Sequence, residues 1–215
     1  MRVLVTAGGT REPVDDVRVL TNSSTGRLGA HLADVFAAAG HDVLLLHSHG
    51  AVRPQRMVAR QVFGPAAELG ELLKHHVPGC DAVIHAAAVS DFVPDRTEGK
   101  ISSGADELVL VLRRAPKLID GLRALAPGAC LVGFKLTSGS TRDERLTISR
   151  SLLDRAQLDL VVSNDVSQVD EHDHEVMLIG RGAPVGHGGG KAAVAAAILR
   201  RVEELVAASS SAAPS

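Results

Sequence analysis

A doubly wound, Rossmann-like α/β fold, with three layers built on a mostly parallel sheet, is the fold class this sequence predicts, on three observations. Short apolar runs alternate with segments whose apolar residues recur at helical spacing. The first run spills directly into Gly8-Gly9-Thr10, and a polar excursion then leads to Asn22-Ser23-Ser24-Thr25-Gly26 at the start of a helix. A chain of 215 residues with 45% apolar and 22% charged content can bury one real core.

In order along the chain, the apolar runs 3–6, 43–47, 82–86, 108–112, 130–134 and 160–163 read as strands, and 26–39, 65–76, 116–125 and 142–156 as helices. Such alternation implies parallel strands covered on both faces. Residues 166–187 break the pattern with a polar loop, a strand over 176–179 and a Gly-rich turn, before a last helix over 191–208. One domain, 1–208, is expected. The tail 209–215 is small and polar with no apolar face, and is expected to be disordered. Ligands of such folds sit beyond the carboxyl ends of the strands, near the point where strand order reverses. Gly8, His85, Phe134 and Asn164 fall at expected strand ends and should share that rim.

Charge and composition exclude several classes. The net charge is -2 with no basic block, so no footprint for nucleic acid or a membrane surface is present. No apolar run approaches the roughly 20 residues that span a bilayer, and the N-terminus enters a strand without a signal-peptide pattern. A cytoplasmic location is expected. Cys80 and Cys130 are isolated and read as buried structural thiols. The chain has no Tyr, which excludes oxidoreductases of this fold that use a catalytic Tyr with a Lys. Of 23 basic residues only five are lysine, and three of these, Lys100, Lys117 and Lys135, fall in candidate site segments. A lysine is a compact, mobile charge suited to phosphate, whereas Arg is a rigid fork.

The candidate motifs keep alternative readings. Backbone N–H groups and small hydroxyls from Gly8, Gly9, Thr10, Ser24, Thr25 and Gly26 at a helix N-terminus form a cradle for a phosphate chain. Gly26 and Gly29 serve helix packing equally well, and Asn22 is either a ligand residue or a turn residue. Gly8-Gly9 is not GxGxxG, and the second strand ends in His47-Ser48-His49-Gly50 without the acidic residue a dinucleotide site uses. Ala86-Ala87-Ala88 leave room for a flat ligand, and Asp91 beside Phe92 suits a ribose hydroxyl, a metal or simply a turn. Lys100 sits in a Gly-rich loop that is either solvated or a flap closing over substrate. His172 and His174 read better as a solvated loop than a metal pair, lacking a third ligand at a recognised spacing. Gly186 to Lys191 lacks GxxxxGK[ST] and reads as a flexible turn.

Taken together and in order, VLVTAGGTREPVDDVRVLTNSSTGRLG, HAAAVSDFVP, GKISS, APKLI, LVGFKL and LDLVVSND resemble phosphopantothenate-cysteine ligase, the phosphopantothenoylcysteine synthetase of coenzyme A biosynthesis. The likeness runs from Arg2 to about Leu205. It implies a free-standing ligase with no flavin, acting on 4'-phosphopantothenate, L-cysteine and CTP or ATP with Mg²⁺, whose protein ligands are unknown. The acid's carboxylate attacks the α-phosphate, pyrophosphate leaves, and the cysteine amine then displaces the nucleotide from the acyl-nucleotide. By the same resemblance, Asn22 holds the substrate carboxylate and the intermediate, with Ala88 beside it. Arg18 binds the substrate phosphate, across the interface of a homodimer. Lys100 meets the triphosphate from the flap. The nucleotide site takes the cradle residues with His85, Ala86, Ala87, Asp91, Phe92, Pro116, Lys117, Leu118, Ile119, Phe134 and Lys135. Arg150 and Arg155 replace a lysine pair of the family. The flap reads Lys100-Ile101-Ser102-Ser103 and the later strand Gly133-Phe134-Lys135-Leu136-Thr137-Ser138, closer to the monofunctional streptococcal and eukaryotic branches. The competing readings are a non-catalytic NAD(P)-binding sensor and a dehydrogenase with a base other than Tyr.

Overall fold

An eight-stranded sheet forms the middle layer of a computed structural model that describes residues 1–104, 106–168 and 175–211. The first half runs β1 (Arg2–Ala7), β2 (Arg11–Pro13), β3 (Val19–Thr21), α1 (Arg27–Ala38), β4 (Asp42–Ser48), β5 (Ala59–Phe63), α2 (Ala66–His76) and β6 (Ala82–His85). Then follow β7 (Phe92–Pro94), β8 (Leu112–Arg114), a 3₁₀ turn (Leu118–Gly121), α3 (Leu122–Leu125) and β9 (Cys130–Thr137). The chain ends through α4 (Arg142–Arg155), β10 (Leu160–Asp165), β11 (Val176–Ile179), β12 (Val185–His187) and α5 (Lys191–Ser211).

The sheet order is β12-β11-β10-β9-β6-β1-β4-β5. Pairs from β5 across to β10 are parallel, and β11 and β12 add antiparallel. Alternation in β1 shows why both faces are covered. Val3, Val5 and Ala7 pack with Leu32, Phe36 and Ile198 of the α1 and α5 layer. Leu4 turns the other way, to Leu69, Leu73 and Leu122 of the α2 and α3 layer, which α4 continues. Phe36 is fully buried, a contribution of about 1.5–3 kcal/mol from area alone. α4 starts on a capping box: the Glu144 N–H donates to Thr141 Oγ1, and Glu144 Oε2 accepts from the Thr141 N–H.

Several expectations need correction. The run 108–112 is not a strand of the main sheet; only Leu112 begins a short strand, β8, which pairs antiparallel with β7. Val109 and Val111 are 80% and 62% exposed there. The helix expected over 116–125 is a 3₁₀ turn followed by one helical turn, because Pro116 and Gly121 interrupt it. The excursion 11–20 folds as a β2–β3 hairpin. Gly186 and His187 lie in strand β12 instead of a turn. Helix α5 continues through Ser211, into the expected tail. Residues 212–215 lie outside the described residues, as do His172 and His174.

Candidate active site

Strand order reverses between β1 and β6, where the fold class places a ligand crevice. Here the chain zips that crevice shut. The Ala88 N–H donates to Gly8 O at 2.8 Å, the Thr10 N–H donates to Ala88 O at 3.2 Å, and Gly9 bridges Ala88 in parallel. Thr10 is fully buried; its hydroxyl donates to Ser90 Oγ and accepts from the Ser90 N–H.

The glycines of the expected cradle are explained by these contacts. Gly8 has φ +87°, and a Cβ on it would sit 2.0 Å from Ser48 Oγ. Gly26, the N-cap of α1 at φ +71°, would meet Ala51 Cβ at 2.8 Å, and a Cβ on Gly9 would lie 2.7 Å from Asn22 O. Gly29 approaches Ala7 of β1 in the same way. Gly8, Gly9, Thr10 and Gly26 are buried against protein, with Ser48 at the end of β4 and Ala51 beyond it close to Gly8. Ser24 and Thr25 remain exposed in front of α1.

The open space lies on the other side of β6. A cavity of about 530 Å³ is lined by His85 at the end of β6 and Ala87, Ala88 and Asp91 after it, by Pro116, Lys117, Leu118 and Ile119 before α3, and by Phe134 and Lys135 of β9, with Arg155 of α4. Every one of these is a residue singled out in the sequence. Ala86, Phe92, Lys100 and Arg150 are not part of the lining, and Arg150 points to solvent. The sequence reading missed Val89, Ser90 and Leu136 and the α4 face made by Thr147, Ile148, Ser151 and Leu152. Helical spacing from Arg155 was the available signal for that face: 148, 151, 152 and 155 share one stripe.

Cations outweigh carboxylates around this cavity. Lys117 Nζ donates to Asp91 Oδ1 at 2.8 Å, and Arg155 Nε donates to Asp120 Oδ1 at 3.1 Å. Lys135 makes no ion pair among the described residues. His85 is buried, and burial pulls its pKa down to about 4. Thr6 Oγ1 accepts the Ala87 N–H at 3.0 Å, and His85 Nδ1 lies 3.1 Å from the same hydroxyl. That hydroxyl can donate to Nδ1 or accept from it, according to the tautomer of the neutral ring.

Asn22 also lies outside the lining, but its Nδ2 donates to O of the lining residue Ala88 at 3.1 Å, leaving its second amide hydrogen and Oδ1 for a ligand. Asp165, unforeseen in the sequence, ends β10 as a hub. Its buried carboxylate accepts from Thr137 Oγ1 at 2.6 Å, Ser167 Oγ at 2.7 Å and the N–H groups of Gly139, Ser140 and Ser167, which hold it well below the usual carboxylate range. It fixes the loop that follows Lys135 and Leu136.

The family model of the DNA/pantothenate metabolism flavoprotein C-terminal domain matches residues 1–206. The chain belongs to this family. A coenzyme A biosynthesis bifunctional protein CoaBC of Thermococcus kodakarensis is 39% identical over 183 residues, which are 84% of this chain and 45% of that relative. The chain thus spans less than half the length of that family member. Among solved structures of the family, the Streptococcus pneumoniae DNA/pantothenate metabolism flavoprotein superposes with a TM-score of 0.89 at 28% identity, over 95% of this chain and 99% of that one. The C-terminal domain of a CoaBC protein gives 0.80 at 27% identity, covering 95% of each chain. The mostly parallel three-layer architecture is shared with both.

Proposed function

We propose that this chain is a phosphopantothenate-cysteine ligase, joining 4'-phosphopantothenate to L-cysteine through an acyl-nucleotide made from CTP or ATP, in coenzyme A biosynthesis. Family membership and relatives named for coenzyme A biosynthesis support the reading. The observation that carries it is the Asn22 to Ala88 hydrogen bond, which sets a half-free amide beside a lining residue of a cation-rich cavity at the carboxyl end of the sheet.

In this reading the base and ribose enter the cavity against Ile119 and Phe134, with the neutral His85 ring in the wall. Lys117, Lys135 and Arg155 draw the phosphates inward, and Lys100 meets the charge that develops at the α-phosphorus. Asn22 holds the acid's carboxylate oxygen for in-line attack there; the P–O bond to the leaving pyrophosphate breaks as the acyl-nucleotide forms. The cysteine amine then attacks the acyl carbon, the nucleoside monophosphate departs, and one amine proton is lost. Exclusion of water protects the acyl-nucleotide between the steps.

Among the described residues no group of three or more His, Cys, Asp or Glu gathers to hold a metal. Mg²⁺ commonly takes one or two carboxylates beside substrate phosphates, and Asp91 is the carboxylate in the cavity lining. The residues fit this ion: Asp91 would hold a Mg²⁺ brought by the triphosphate, and the ion would supply neutralisation of phosphate charge. No flavin is proposed. No helix among the described residues is long and apolar enough to cross a membrane, and a cytoplasmic enzyme is proposed.

We also propose a homodimer. Val17, Val19 and Leu20 would be exposed in a monomer and could pack on a symmetry mate; Val17 and Val19 are 63% and 43% exposed, Leu20 is half-buried, and the exposed run 108–112 adds apolar surface. Light scattering should read twice the chain mass; a single chain mass at micromolar concentration contradicts it.

The function is tested by pyrophosphate release with CTP and ATP in parallel. Release should require both 4'-phosphopantothenate and the triphosphate, and amide product should require cysteine. NADPH binding without pyrophosphate release would favour the sensor reading, against which the filled space behind Gly8 already argues.

A further inference from the structure

Two segments about 85 residues apart in sequence meet on one buried carboxylate. Asp15 lies in the loop between β2 and β3 and is 3% exposed. Its Oδ1 accepts from the N–H groups of Val17 at 2.9 Å and Arg18 at 2.7 Å, which fixes the turn around Arg18. Its Oδ2 accepts from Arg18 Nη1 and from the Ile101 N–H at 3.0 Å. Arg18 Nη1 also donates to Ile101 O at 3.3 Å. Arg18 and Ile101 are therefore bound to the same oxygen and to each other, and Ile101 is the neighbour of Lys100.

The surrounding contacts extend this seam. The Thr97 N–H donates to Val14 O at 3.0 Å, the Asp16 N–H donates to Gly99 O at 3.1 Å, and Arg96 Nη2 donates to Asp16 Oδ1 at 3.0 Å. Of these groups Asp15 alone is a buried charge, and the Val17, Arg18 and Ile101 N–H groups and the Arg18 guanidinium all donate to it, a charge-assisted arrangement that is stronger than the neutral bonds around it. Burial alone would raise its pKa, but hydrogen bonds from Val17, Ile101 and Arg18 outweigh that and bring it down to about 2. The carboxylate is ionised at any pH where the protein works.

We propose that Asp15 is a positioning residue that holds Arg18 and the Lys100 segment in one register, so that two cations are set before a ligand arrives: Lys100 for the triphosphate of its own site and Arg18 for the substrate phosphate across the dimer interface. The proposal rests on the ligase reading for the roles of Arg18 and Lys100. Its physical content is preorganisation: two cations on loops are useful only if each is held near its productive place.

Hydrogen exchange and steady-state kinetics on two variants test it. Asp15→Asn keeps the shape but replaces one acceptor oxygen by a donor; Ile101→Pro removes one donor and leaves Arg18 on Asp15. In Asp15→Asn, amides of 96–104 should exchange at least tenfold faster while β1 and β6 keep wild-type protection. The KM for 4'-phosphopantothenate should rise at least tenfold and kcat should fall. Ile101→Pro should loosen 96–104 and lower kcat, with that KM within about twofold of wild type. A change that was merely structural would not split KM from kcat in this way. Unchanged exchange over 96–104 in both variants overturns the proposal, and so does loosening without any kinetic change. If Asp15→Asn does not fold, Ile101→Pro still decides whether the seam sets kcat. Wild-type protein that releases no pyrophosphate with 4'-phosphopantothenate would sink the ligase reading, while the exchange arm would still report whether Asp15 holds the segment.

Discussion

The two sides of the sheet's central strands carry the same kind of sequence and opposite kinds of space. After β1, Gly8, Gly9 and Gly26 bring backbone close to Ser48, Asn22 and Ala51, and the gap is filled by chain. After β6, Ala87 and Ala88 lie along a cavity of about 530 Å³ that runs on to Phe134 of β9. Small residues at a strand end announce a close approach in both places. What approaches is decided by the loop after β4, which has the length and the small side chains to fold back over the glycines.

The largest expected effect would break the filled side. Gly8→Ala adds a left-handed penalty of about 1–2 kcal/mol to an overpacking penalty of about 1–3 kcal/mol against Ser48. Chemical denaturation should register a loss of about 3 kcal/mol or more. Gly50→Ala has a similar φ of +79° with nothing within 4 Å, so it should lose only about 1 kcal/mol. Equal losses would mean that packing behind Gly8 is not what demands the glycine.

On the open side, His85 gives a pH signature. Its folded pKa, near 4, lies below the usual 6.5 because burial disfavours the charged ring. The unfolded chain thus binds the proton more readily, so stability falls as pH drops from 6.5 to 4, by about 3 kcal/mol in all. Asp15, lowered from 3.8 to about 2, contributes stability that is full above 3.8 and is lost as pH falls through 2, outside that window. His85→Asn, whose Oδ1 can take the Thr6 hydrogen, should flatten the slope between 6.5 and 4. A slope that survives assigns the effect elsewhere.

Lys100→Ala should lower turnover by about 10² with an unchanged melting temperature, because the side chain is exposed. A steep fall in melting temperature with turnover per folded molecule retained would make Lys100 structural. The smallest effect separates two arginines on one helix. Arg155→Ala should raise the KM for the triphosphate several-fold, and Arg150→Ala, outside the cavity, should leave it unchanged. A larger effect at Arg150 would place the phosphates beyond the cavity seen here.

Periodicity made the sheet legible because β1, β4, β6, β9 and β10 are buried on both faces and therefore read as unbroken apolar runs. It failed for 108–112, where an equally apolar run lies exposed beside a two-stranded ribbon: apolarity signals a need for cover, and that cover need not come from the same chain. Short strands such as β2, β3 and β12 were illegible because three residues carry no period. Around the cavity, Ala88, Lys117 and Phe134 were singled out through ordered motifs. Asp15 and Asp165 were not, because a buried carboxylate owes its place to donors that only the folded chain gathers, here Ile101 for one and Thr137 for the other.

A structure of the protein with CTP or ATP bound tests the central claim most directly. The account predicts density for the base between Ala87 and Phe134, with phosphates directed to Lys117, Lys135 and Arg155 and the loop after β4 unmoved. Density for the nucleotide against Gly8 and Gly26, with that loop displaced, would contradict it.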